Sequence, residues 1–101
     1  MRTKPPRTRN GHTTKYQVGV CTVYVTVNGS PPLEVFAKAD EGWQGWADVL
    51  AETVSIALQS GTDTALLVRH LRHHRMEPEG MAGQPASIPD AIGRAIEAAS
   101  K

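Results

Sequence analysis

Between Val23 and Phe36 the chain reads Val-Tyr-Val-Thr-Val-Asn-Gly-Ser-Pro-Pro-Leu-Glu-Val-Phe, and this stretch constrains the fold more than any other. β-Branched and aromatic residues crowd together there, which suits a pleated, half-buried surface. Asn28-Gly29 tolerates positive φ, and Ser30-Pro31-Pro32 cannot continue as a central strand, so the run must turn. Extended chain resumes at Leu33. The stretch predicts a β-hairpin.

The extended pattern begins earlier, at Thr14. One face carries Gly19, Cys21, Val23, Val25 and Val27 and reads as the core side; the other carries Val18, Val20, Thr22, Tyr24 and Thr26 and is semi-polar. Gly19 marks a place where the run can divide into two strands. The return strand, 33–38, alternates Leu33, Val35 and Ala37 against Glu34, Phe36 and Lys38.

Helical spacing takes over after Asp40-Glu41-Gly42. Trp46, Val49, Leu50, Thr53, Ile56 and Ala57 recur as one apolar stripe, with early acids suiting the helix dipole and Gly61 as the stop. Thr62 or Asp63 caps a second helix through Leu66, Leu67, Val68 and Leu71, whose last turn would hold Arg69, His70, Arg72, His73, His74 and Arg75. Residues 77–84 read as a flexible loop. Ser87-Ile88-Pro89-Asp90 then opens a third helix as a capping box, with Ile92, Ala95, Ile96 and Ala99 as its stripe. The order predicts an α+β domain: a small antiparallel β-hairpin sheet followed by three helices packed on one face.

Length and charge bound the function. At 101 residues the chain is a single domain, and 40% hydrophobic residues leave part of it outside the core. Residues 1–12, with Pro5, Pro6, Gly11 and four basic side chains, have nothing to bury and read as a disordered basic tail ahead of one domain at 13–101. Arg2, Lys4, Arg7, Arg9 and Lys15 give the first fifteen residues +5, leaving −4 for the rest. The single cysteine, Cys21, excludes an intramolecular disulfide and a multi-cysteine zinc site. With no membrane-length apolar run and no signal-peptide pattern, a cytoplasmic setting is expected. So small a sheet predicts a second copy that extends it or covers its semi-polar face, giving a homodimer or higher homo-oligomer.

Four segments together resemble a known family. Tyr24-Val25-Thr26-Val27, Pro32-Leu33-Glu34-Val35-Phe36, Ser55 to Gly61 and Ser87-Ile88-Pro89-Asp90-Ala91-Ile92-Gly93-Arg94 are similar, in order, to the TSCPD domain. That domain occurs near the C-terminus of adenosylcobalamin-dependent (class II) ribonucleotide reductases and in short stand-alone relatives. The likeness runs from about Gly11 to Glu97. Ile88 stands where the name-giving motif has cysteine, so redox or metal chemistry tied to that position is not carried over. Nothing resembles the reductase's radical-bearing barrel, substrate site or cobalamin site, so no cofactor is implied.

Candidate sites follow from the residues. Arg69, Arg72, His73 and Arg75 suit phosphate, because guanidinium forks match its oxygens, although a solvated helix end explains them too. His70 and His74, four apart, have metal-ligand spacing, but the arginines repel a dication and no further ligand completes a set, so no metal is expected. Trp43 suits base stacking or a dimer seam, Trp46 the core, and Tyr24 a ligand floor or seam. Ser87 and Asp90 are explained by capping, and Cys21 by burial, so no catalytic residue is indicated. The resulting expectation is a non-catalytic accessory module that binds a nucleotide or a partner such as a ribonucleotide reductase subunit. Two alternatives stand beside it: an oligomeric, phage-encoded sponge for signalling nucleotides, and a weak nucleic-acid binder acting through the tail.

Overall fold

In a computed structural model the described residues are 11–100. The sequence-predicted tail up to residue 10 lies outside them. Gly11 and His12, grouped with that tail by composition, already belong to the first strand. Three strands, β1 (Gly11–Val18), β2 (Cys21–Asn28) and β3 (Glu34–Ala39), form an antiparallel sheet in sequence order. The long extended run does divide at Gly19. Its φ of +62° opens a two-residue turn with Val20, and Val18 and Cys21 pair across it. Between β2 and β3, Gly29 (φ +100°) begins the turn and Leu33 N donates to Asn28 O at 2.9 Å.

Helices α1 (Gln44–Gln59), α2 (Thr64–Leu71) and α3 (Ile88–Ala99) complete the α+β domain. Within β2 and β3 the strand alternation holds: Cys21, Val23, Val25, Val27, Val35 and Ala37 are buried, whereas Tyr24, Phe36 and Lys38 on the other face are exposed. Val18, expected on the semi-polar face, is instead buried in the core, because the turn at Gly19 and Val20 pairs it with Cys21 and so brings both to one face. Ile88, Ala91, Ile92, Ala95 and Ile96 of α3 close the core over the sheet. Gly93 lets α2 approach closely, since a Cβ there would lie 3.1 Å from both Leu71 Cβ and Arg72 Cδ.

Helix α1 packs along β3, and here the expected stripe is displaced by one residue. The buried positions are Ala47, Ala51, Val54, Ser55, Leu58 and Gln59. Trp46, expected in the core, is instead 42% exposed, with Val49 at 62% and Ile56 at 43%; Trp43 packs partly buried against the core. The reason lies in the free edge of β3. Ser55 Oγ accepts from Val35 N (2.8 Å) and donates to Val35 O (3.0 Å). Gln44 Oε1 accepts from Ala39 N and its Nε2 donates to Ala37 O, while Gln59 Nε2 donates to Leu33 O. Three polar side chains thus satisfy the edge, and small Ala47 and Ala51 let the helix come close enough to do it.

The helix ends differ in how far they follow their signals. Thr62 N donates to Ala57 O and Gly61 N to Leu58 O, the paired bonds of a Schellman stop at Gly61 (φ +93°). Asp63 caps α2 through Ala65 N. No acid stands in the first turn of α1, so the expected dipole compensation is missing. Helix α2 also stops at Leu71, earlier than expected: Arg72 is extended and His73 takes φ +69°. Residues 77–84 are held in place, with Gln84 Oε1 accepting from both Gly19 N and Met81 N.

Candidate functional site

The basic cluster is shaped by Asp90, whose side chain is 1% exposed. The capping box forms by half. Ser87 Oγ accepts from Asp90 N at 3.2 Å, but the Asp90 carboxylate does not reach back to the Ser87 amide. Its Oδ1 accepts from Arg72 Nε and from His73 N, both at 2.9 Å, and Oδ2 accepts from Ala86 N at 2.8 Å. Arg94 Nε lies 3.6 Å from Oδ2, and its Nη2 donates to Gln84 O. Burial alone would push this carboxyl up. The His73 and Ala86 amides, Arg72 and Arg94 outweigh it and hold the carboxyl below its ordinary value.

The sharp exit from α2 follows from these bonds. Left-handed backbone at a non-glycine residue stores strain of order 1–3 kcal/mol, and here it aims the His73 amide at a buried anion. Arg72, extended at the helix end, also binds Glu97 through Nη1. Its guanidinium therefore bridges two carboxylates.

The six residues singled out for binding fall in separate places. Arg69, Arg72 and His73 share an open cleft of about 630 Å³ between the start of α2 and the end of α3, with Asp63 and Glu97 in its wall. Arg75 lies elsewhere and pairs with Glu79 at 2.9 Å. Tyr24 lines a larger groove of about 1190 Å³ that runs from the open sheet face around β3 to α1. Glu34, Asp48 and Glu52 line it together with Lys38, so its balance is acidic. Trp43 belongs to neither. His70 and His74 do not share a helix face, because α2 ends between them; their rings meet edge-on, 5.7 Å apart. Among the described residues no cluster of three or more metal-ligating side chains occurs.

Thiol chemistry meets a packed interior. Cys21 is buried, and Ile88, at the position of the family's cysteine, is fully buried in the core. The exposed surface that sequence reasoning missed is the outer side of α1. Trp46, Val49 and Ile56 lie there at helical spacing, and Ile56 joins the stripe to the acidic groove. Its signal was the stripe itself, read as core.

Comparison with known proteins bears out the family resemblance. The TSCPD domain model matches residues 1–100. Vitamin B12-dependent ribonucleotide reductases of Streptomyces clavuligerus and Streptomyces coelicolor are each 33% identical over 107 aligned residues, covering 95% of this chain and 11% of theirs. That of Streptantibioticus cattleyicolor is 32% identical over the same length, with 18% of it covered. The chain therefore spans between about a tenth and a fifth of these relatives. No solved structure matches it. No helix among the described residues is long and apolar enough to cross a membrane. With the family model matching essentially its whole length, the chain belongs to the TSCPD domain family.

Proposed function

We propose that this chain is a non-catalytic accessory module that binds a partner protein of the ribonucleotide reductase kind through the outer side of α1. The observation that carries the reading is the stripe of Trp46, Val49 and Ile56, apolar and exposed although the domain has its own complete core. Contiguous apolar surface rimmed by polar residues marks protein contact, and Asp48 and Glu52 supply an acidic rim. In the Streptomyces reductases the matching segment is joined to a far larger body, which is a source of such a partner surface. A nucleotide is less well served. Arg72 is already shared between Asp90 and Glu97, Arg75 pairs with Glu79, and the groove beside Tyr24 is acidic.

The test mixes the full chain with a vitamin B12-dependent reductase from which its own TSCPD domain has been removed, and follows co-elution and calorimetry. Binding by the parent and its loss in Val49→Glu, with the thermal midpoint unchanged, is the expected result. Absence of binding, together with a nucleotide-induced thermal shift that Arg69→Ala abolishes, would overturn the partner reading in favour of a nucleotide.

A further inference from the structure

The two edges of the sheet are treated differently. On β3 the outward backbone groups of Leu33, Val35, Ala37 and Ala39 meet Gln59, Ser55 and Gln44. Nothing among the described residues does the same for β1, the other edge strand. The phase of the ladder says which of its groups point outward. Because Val35 N and Ala39 N turn away from β2, their partners Val27 and Val23 bond towards β1. Those residues pair with His12 and Tyr16, so the even positions of β1 bond inward. Gly11, Thr13, Lys15 and Gln17 therefore offer their N–H and C=O groups to the outside.

The geometry points to a second copy of this chain as the occupant of that edge, with β1 antiparallel to its symmetry mate about a twofold axis at Thr14. An isologous contact of this kind repeats each pairing. Centred on Thr14, Thr13 faces the mate's Lys15 and Gly11 faces its Gln17, and every outward group finds a partner, making about eight backbone bonds. Tyr16 faces His12 on the helix side. The neighbouring register with its axis at Lys15 opposes two lysines, and the one at Thr13 leaves Gln17 without a mate among residues 11–18. Charge and pairing together select Thr14. An edge lysine discourages indiscriminate pairing, and the Thr14 register both keeps the two lysines apart and pairs all four outward residues. The result is a continuous six-stranded sheet with the plugged β3 strands as its ends, which explains why only one edge is closed by the described residues. This interface is separate from the α1 stripe and stands or falls independently of the partner reading.

Three full-length variants that each add one cysteine, Thr13→Cys, Thr14→Cys and Lys15→Cys, test the register under mild oxidation, since buried Cys21 takes no part. A covalent dimer forming fastest from Thr14→Cys is expected, because facing residues lie within disulfide reach. Hydrogen exchange of the parent should show Thr13, Lys15 and Gln17 amides protected when concentrated and exposed on dilution, in step with dimer mass by light scattering. A chain that stays monomeric at hundreds of micromolar overturns the proposal. Protection of those amides in the monomer overturns it as well, by assigning the edge to the chain's own first ten residues, and preferential cross-linking of Thr13→Cys or Lys15→Cys overturns the register.

Discussion

Replacing Asp90 with alanine should cost more than any other single polar change in the domain. The carboxylate joins three segments: Arg72 and His73 at the end of α2, Ala86 before α3, and α3 itself. Alanine leaves two backbone amides, and the Nε of an Arg72 side chain only 20% exposed, without their acceptor. Removing one partner from a buried ion pair costs about 3–5 kcal/mol, out of about 5–15 kcal/mol for a domain of this kind. At roughly 4–8 °C per kcal/mol for a small domain, the thermal midpoint should fall by about 12 °C or more. The pH dependence separates charge from packing. Because the folded carboxyl titrates below its ordinary value, its contribution is complete above the unfolded value near 4 and disappears as pH falls through the folded one. The stability gap between parent and Asp90→Ala, measured by urea unfolding under circular dichroism, should therefore be widest at neutral pH and close in acid. A gap under about 1 kcal/mol at neutral pH, or one that does not narrow in acid, would refute the argument.

Two further perturbations probe the edge and the loop. Ser55→Ala strips the buried Val35 N–H and C=O of their shared partner and should cost about 1–3 kcal/mol in urea unfolding; an unchanged midpoint would show that the β3 edge is satisfied otherwise. Gly80→Ala places a Cβ 1.7 Å from Pro85 O, a backbone atom that cannot swing away, whereas Gly83→Ala meets nothing within 4 Å and suffers only its φ of +85°. Thermal unfolding should rank Gly80→Ala well below Gly83→Ala, which loses about 1 kcal/mol.

The strands were legible because their information is local. Alternation of period two placed Cys21 to Val27 and Val35 to Ala37 on the core side, and glycine at Gly19, Gly29 and Gly61 fixed two turns and a helix stop through positive φ. The site was less legible because its geometry is made by distant groups. No local pattern around His73 announces a left-handed residue; its amide is drawn there by a carboxylate seventeen positions later. The same carboxylate broke the expected capping box, since two amides and two guanidinium groups compete for its oxygens with the Ser87 amide. Arginines that looked free in sequence were then already occupied, as Arg72 and Arg75 show.

The displaced stripe of α1 joins the structural and functional arguments. A rule that sends the larger apolar residues inward chooses Trp46, Val49 and Ile56 over Ala47 and Ala51. The helix obeys a stronger demand, because an edge strand with unmet backbone groups requires polar partners at short range, and only the face carrying Gln44, Ser55 and Gln59 provides them. Turning that face to β3 forces the bulky stripe outward. Had the stripe served only the core, the helix could have kept its large residues inside by carrying the polar set one position earlier. Its exposure is thus a consequence of edge closure that leaves an apolar surface standing, and Val49, the most exposed of the three at 62%, is the position that this chain itself shields least from a partner's side chain.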